Sequence, residues 1–418
     1  MCLALIVTGC ASYTDQTREI RSSYIGESYD AALKKLETSE LKDQNRNRLL
    51  YKLEKAMILD RKQDRKASRT LFVEADKVVD ELYTESITKA AASFIYNDST
   101  TEYAGEDFEK VAIHSELALS FLEDRDTSAA TVEARRINSR LNEINQKYDE
   151  KSRNRYGEDA FARYLAAMIY ESRDEIDNAI IDYTSALKTY EGIYTEHFNT
   201  PPPDDLIVSL YRLLDKRKRK DQMEKLEKKY MRLVAKARKL DPNEGELIVI
   251  HEAGTIAIKQ AENFVLPIAG QVVRFSFPVI RQRGSGFWGT TGVDIPGVGL
   301  VRGDLSQNMD AIASKSLEDR RFRLIIKEGA RLLVKGQITR KATEQFGILG
   351  WVAGNVYGAV TETADTRSWT LLPAAYYVTR ARLNPGPYAV TVKTNGRISK
   401  IQNVKIERDK IVFLRDAG

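Results

Sequence analysis

The stretch AFARYLAAMIYESRDEIDNAIIDYTSALKTY, Ala160–Tyr190, decides how the first half of this chain is built. Apolar residues recur in it at steps of three and four, so each of its two segments winds into a helix with one buried stripe. Ala167, Tyr170, Ala179, Tyr183 and Ala186 alternate small with aromatic. Small residues let two helix axes cross closely, and aromatic rings wedge one helix against the next. Asp174 and Glu175 fall between the segments as a polar turn.

These spacings are those of a degenerate tetratricopeptide-like repeat, with no large residue early in the first helix and Glu191 where a proline often ends the unit. Weaker copies are expected upstream. Tyr29 to Leu36 reads as a second helix, Leu49 to Leu59 and Ala67 to Leu82 as a pair, and Tyr103 to Leu122 with Thr127 to Ile144 as another. Helix pairs of this kind bury their apolar faces only by stacking, which predicts a curved row with a concave surface suited to peptides or proteins. A plain helical bundle satisfies the same periodicity.

Pro201-Pro202-Pro203 interrupts the pattern, and Asp204-Asp205 is expected to cap the next helix. The basic run Lys216 to Lys220 reads as a solvated helix face rather than a lipid or glycan contact. Asp241-Pro242-Asn243 is a strong stop, so the chain divides into a tether at 1–16, a helical domain at 17–242 and an α+β domain at 243–418. Beyond Gly245 the composition turns to Val, Ile, Gly and Tyr. Strands are predicted at Glu246 to His251, Gln271 to Ile280, Tyr376 to Arg382, Tyr388 to Lys393, Ile398 to Ile406 and Lys410 to Arg415, with an Asn395-Gly396 hairpin turn. Gly284 to Gly303 reads as a loop, and Asn308 to Phe346 as one long helix. The fold class expected is α+β multidomain: an all-α tetratricopeptide-like solenoid followed by an antiparallel β-rich domain carrying that helix.

The first ten residues carry the address. Val7-Thr8-Gly9-Cys10 ends an apolar run with a small residue directly before a cysteine, the pattern of a bacterial lipoprotein cleavage site, in which Cys10 receives lipid. No Lys or Arg precedes Arg18, as though the start had been assigned late. Ala11 after the cysteine points to the outer membrane, with the folded part facing the periplasm. Both cysteines lie in this segment, so a disulfide, a thiol nucleophile or a zinc-thiolate site is not expected in the mature chain. A formal charge of +5 over 418 residues argues against a nucleic-acid binder.

No residue set declares a reaction, and the chain is read as a non-enzyme without cofactor or metal. Gly284 to Gly289 has the glycine spacing of a dinucleotide loop but opens no helix. Phe287 and Trp288 within it are candidate contact residues. His114, His197 and His251 are far apart and lack a second ligand at helical spacing. Arg320, Arg323, Lys327, Arg331 and Lys335 fall on one helix face, either a solvated face or a site for anionic glycan, lipid phosphate or an acidic partner. Glu109, His114, Glu133 and Arg136 are expected to meet as a polar cluster that fixes helix register or lines a groove.

Two stretches carry a resemblance. Tyr103-Ala-Gly-Glu-Asp-Phe-Glu109 leading to His114, with Val132-Glu-Ala-Arg-Arg136, and Ala364-Asp-Thr-Arg-Ser-Trp369 before Leu372-Pro373, resemble a family of uncharacterised bacterial envelope lipoproteins. That resemblance implies the architecture and no activity. The expected function is a membrane-anchored periplasmic scaffold for protein–protein contacts in an envelope assembly; the alternative is a peptidoglycan-binding or processing protein acting through the second half. Expected partners are other envelope proteins and the membrane, through lipid on Cys10, with self-association left open.

Overall fold

The computed structural model describes residues 12–89, 101–147, 156–268, 271–281, 290–320, 364–394, 397–399 and 401–417. Its N-terminal half is helical and its C-terminal half is built on β-sheets. The helices come in hairpins: α1 (Tyr13–Ile25) with α2 (Tyr29–Glu37), α3 (Arg48–Arg61) with α4 (Arg65–Lys89), α5 (Asp107–Glu123) with α6 (Thr127–Lys147), and α7 (Ala160–Ser172) with α8 (Ile176–Thr189). After the short α9 (Thr195–His197) come α10 (Asp204–Lys216) and α11 (Lys220–Ala237). Each helix packs on the next along the row, α8 meeting α10 across the proline segment. Asp204 and Asp205 sit in the first turn of α10 with Pro203 at its N-cap, so they complement the helix dipole rather than cap it.

One turn geometry is repeated in all five hairpins. Glu27, Gln63, Arg125, Asp174 and Lys218 adopt φ between 54° and 65°. The following amide reaches back to a carbonyl five residues earlier: Ser28 to Ser23, Asp64 to Leu59, Asp126 to Phe121, Glu175 to Tyr170 and Arg219 to Leu214, at 2.9–3.0 Å. This satisfies orphan carbonyls at the end of each first helix by a Schellman closure. Glycine normally fills that left-handed position, and none does here, which is why the repeat is faint in sequence. Glycine at Glu27 or Arg125 should therefore stabilise the protein by about 1 kcal/mol each. Urea midpoints measure this; an unchanged or lower midpoint would show that the native side chains offset the strain.

The β half contains β1 (Gly245–Ala253), β2 (Lys259–Ile268), β3 (Gln271–Ile280), β4 (Thr291–Ile295), β5 (Gly299–Arg302), β6 (Asp304–Asn308), β7 (Ala375–Leu383), β8 (Gly386–Thr394), β9 (Arg397–Ile398), β10 (Gln402–Ile406) and β11 (Ile411–Asp416). Among the described residues three sheets form, ordered β11-β1-β7-β6, β10-β8-β4-β5 with β9 on β8, and β2-β3. The pairing is antiparallel as expected except between β1 and β11, which run parallel. The segment read as a loop at 284–303 instead supplies β4 and β5. Val293 and Ile295 alternate into the core there, and Gly292 lies so close to β5 that a Cβ would meet the Val301 carbonyl at 2.6 Å. Of the expected long helix, 309–320 is helical, with Met309, Ile312, Ala313 and Leu317 buried; the rest lies outside the described residues.

The period-2 pattern of β1 explains the layering. Ile248 and Ile250 join Tyr376 and Val378 of β7 in the core shared with the helices. Leu247 and Val249 join Ala381 and Leu383 in a second core with Val293, Ile295, Val390, Val392, Val404 and Ile406. Helices, first sheet and second sheet are thus three layers, and all nine residues of β1 are buried between them. The change from helix to sheet at 242–243 is a change of secondary structure that the hydrophobic core runs straight across.

Candidate functional site

Two of the hairpins' first helices, α3 and α5, hold the chain's own segment 364–374, while α1 reaches Lys259 and Thr255 and α7 reaches Arg380. Glu54 of α3 accepts the Thr370 amide at 2.7 Å, the Thr370 hydroxyl at 2.7 Å and the Leu371 amide at 3.0 Å. Glu109 of α5 accepts the Trp369 amide at 2.8 Å and the Tyr103 hydroxyl at 2.7 Å. Two carboxylates from neighbouring hairpins therefore read three consecutive backbone N–H groups of a segment without regular structure. Trp369 seals the contact, fully buried with its ring 5.8 Å from Phe72. Burial pushes the Glu54 carboxyl up to about 7 against its hydrogen bonds to Thr370 and Leu371. Burial, then the Glu106 charge, also raises Glu109.

Beside this grip lies a buried ion network. Arg415 of β11 reaches Asp60 at 3.0 Å, Glu123 at 3.2 Å, and both Glu116 and Glu252 at 2.5 Å. Arg61 joins Asp60 and Glu252 from the other side. Burial, followed by the Glu252 charge, raises Glu116 to about 7. Burial would raise Glu252 too, but Arg415 and Arg61 hold it below its ordinary value. A third anchor is Arg380, which binds Glu246 at 2.8 Å, Glu171 at 3.0 Å and the Tyr183 hydroxyl at 2.8 Å. Asp365 and Arg367 pair at 2.8–2.9 Å.

His114, Glu133 and Arg136 do come together. His114 Nδ1 lies 2.9 Å from Glu133, its Nε2 lies 3.2 Å from Asp76, and Arg136 stands 3.5 Å from Glu133. Glu109, on the same helix as His114, is directed to Trp369 and is not part of this cluster. The cluster ties α4, α5 and α6 together, with Arg140 closing on Asp76 at 2.7 Å. Burial would lower the His114 pKa, but Asp76 and Glu133 raise it above 6.5. The stabilisation it supplies is fully present below the unfolded value of 6.5 and is lost as pH rises through the folded one. His114→Gln should flatten stability against pH above 6.5 in urea melts; an unaltered slope would place the titration elsewhere.

Arg320 reaches Glu106 at 3.2 Å, beside Lys259 at 2.6 Å, and so helps join helix to sheet. Cys10, Phe287, Trp288, Arg323, Lys327, Arg331 and Lys335 lie outside the described residues. Within the basic run, Lys216, Arg217, Lys218 and Arg219 are matched by Asp174, Asp177 and Asp215. One arrangement was not legible in sequence: His251 Nδ1 meets Asp416 at 2.6 Å and its Nε2 meets the Thr394 hydroxyl at 3.1 Å, which meets Thr291 at 2.8 Å. Asp416 is adjacent only because β11 pairs in parallel with β1. Both ring nitrogens are engaged and the ring is buried, so the chain of bonds works as a strut between the two larger sheets. Among the described residues no group of three His, Cys, Asp or Glu is placed to hold a metal ion.

No protein-family model matches the chain, and no curated protein does. Among solved structures, MamA (AMB-1, P212121) is similar at a TM-score of 0.31 and 11% identity, over 54% of this chain and 90% of that one.

Proposed function

We propose that this protein is a lipid-anchored scaffold of the bacterial outer membrane, whose tetratricopeptide-like helical row binds polypeptide and holds an envelope assembly together. The observation that supports the reading is the grip of Glu54 and Glu109 on the amides of residues 369–371. A stacked helical row presents a continuous curved surface of the kind such repeats use to bind polypeptide. In this chain the inner surface is filled by its own C-terminal half, so partners engage the remaining faces of the row. The address rests on Val7 to Cys10. Crosslinking and pull-down from membranes, with the protein beside Cys10→Ala, tests the proposal. A defined set of envelope proteins, lost in the variant, is expected; clean recovery from membranes with no protein partner would overturn it.

A further inference from the structure

The ion cluster around Arg380 differs from the Arg415 network in its balance of charge. It lies where β1 begins and β7 ends. Register sets Glu246 beside Arg382 and Ile248 beside Arg380, and Ile248 belongs to the core shared with the helices. Strand residues two apart share a face, so Glu246, Arg380 and Arg382 all look toward the helical row. From that side α7 adds Glu171, α8 adds Tyr183 and α10 adds Arg212, the one residue between Leu206 and Leu214 that is not buried.

The centre of the cluster is tightly made. Arg380 Nε and Nη2 take the two oxygens of Glu246 at 2.8 and 3.0 Å, and Nη2 also reaches Glu171 at 3.0 Å. The Tyr183 hydroxyl donates to Glu171 at 2.5 Å and accepts from Arg380 Nη1 at 2.8 Å. The two outer arginines are held less well. Arg382 stands 3.8 Å from Glu246 and Arg212 stands 3.9 Å from Glu171, beyond hydrogen-bond reach. Arg382 Nε is buried with no hydrogen-bond partner among the described residues.

Three guanidiniums, Arg212, Arg380 and Arg382, thus face two carboxylates, Glu171 and Glu246. The Arg415 network is the reverse, with Arg415 and Arg61 set among Asp60, Glu116, Glu123 and Glu252. Burial pushes the Arg382 guanidinium below its ordinary value; Glu246 opposes this, and Arg212 and Arg380 add to it. Arginine keeps its proton in a protein, so the surplus of one positive charge persists. The Arg382 side chain is 14% exposed and that of Arg212 is 26% exposed, which leaves both poorly screened and still within reach of solvent.

We infer that Arg212 and Arg382 form a binding site for a singly charged oxyanion, a carboxylate, held by the two outer guanidiniums beside Arg380. A guanidinium presents paired N–H donors that match the two oxygens of a carboxylate. One negative charge balances the cluster. A phosphate dianion would replace the surplus with one of opposite sign in a half-buried place, where an unmatched charge is costly. The carboxylate belongs either to a small organic acid or to a polypeptide, as its C-terminus or an acidic side chain.

The test is urea unfolding of the full protein at pH 8 as sodium chloride is replaced stepwise by sodium acetate at constant ionic strength. A ligand that binds only the folded state raises the folding constant saturably, by about elevenfold at ten times its dissociation constant. The parent should show this rise, and Arg382→Gln and Arg212→Gln should each abolish it. In chloride alone Arg382→Gln should keep the parent's midpoint, because its guanidinium makes no hydrogen bond to lose. Triglycine with a free C-terminus in place of acetate separates the sources: a stronger effect than acetate assigns the site to polypeptide, an equal or weaker one to small acids. An acetate effect that is absent, or the same in parent and variants, would overturn the inference, as would failure of both variants to fold. A larger effect of inorganic phosphate than of acetate would overturn the carboxylate assignment.

Discussion

Arg415→Met is expected to destabilise the protein by about 3–5 kcal/mol, the cost of stranding a buried charge partner, out of a total stability of roughly 5–15 kcal/mol for a folded domain. Arg415 is 7% exposed and contacts Asp60, Glu116, Glu123 and Glu252. Without it, Asp60, Glu116 and Glu252 share a water-poor site with Arg61 as the remaining close cation. Methionine fills the volume, so the loss is electrostatic rather than a cavity. Two consequences separate this account from simple packing damage. Glu116 has a folded pKa of about 7 against an ordinary 4.5. A raised carboxyl contributes stability that is whole below the unfolded value and is lost as pH rises through the folded one. The variant should accordingly recover part of its loss on moving from pH 8 to pH 5.5. Adding Glu116→Gln to Arg415→Met should recover stability at pH 8 as well. Urea melts at the two pH values measure both; a loss below about 1 kcal/mol that ignores pH would show that the network does not hold helix to sheet.

The helical half was legible because its signal is local. Periodicity placed seven of the eight helices of the first four hairpins, all but α1, from residues such as Leu49 to Leu59 and Thr127 to Ile144, and these two stretches lie within α3 and α6. The polar turn at Asp174 was legible too, whereas the geometry it shares with the turn at Arg125 was not, since Arg125 and Asp174 carry no glycine signal. In the β half, Gln271 to Ile280 was read with its boundaries, but its partner β2 was missed. Lys259 to Ile268 lacks clean alternation and contains a proline. The main failure concerned where the halves meet. Glu54, Glu116, Glu171 and Glu252 look in sequence like ordinary charges of solvated helices and strands, and nothing local marks Glu54, Glu116 and Glu252 as buried or Glu171 as half-buried. Their partners are 100 or more residues distant: Thr370 for Glu54, Arg415 for Glu116 and Arg380 for Glu171. Trp369, by contrast, carries a local sign of burial, since an isolated large aromatic in a polar turn sequence has few uses other than as an anchor.

Trp369→Ala should lose about 3–5 kcal/mol, the range for emptying a large buried aromatic site, whereas Trp369→Phe should lose much less. The difference follows from the site. The ring has no exposed surface, lies against Phe72 and sits in the core that spans both halves. Its indole N–H has no hydrogen-bond partner among the described residues, so phenylalanine surrenders ring area and no polar contact. Thermal unfolding followed by far-ultraviolet circular dichroism gives the ranking; equal losses for the two variants would mean that the indole is held by something other than apolar packing. The alanine variant also tests what the helical row is for. Glu54 and Glu109 still present acceptors at the positions of the 369–371 amides, but the anchor that keeps the segment seated is gone. The segment should exchange between bound and free, and a synthetic peptide spanning 364–374 should compete for the vacated surface. Binding of that peptide to Trp369→Ala and not to the parent, abolished by a further Glu54→Ala, would show that the row is a chain-binding surface occupied from within. If the folded variant ignores the peptide, the contact is a core like any other, and the scaffold reading loses its support.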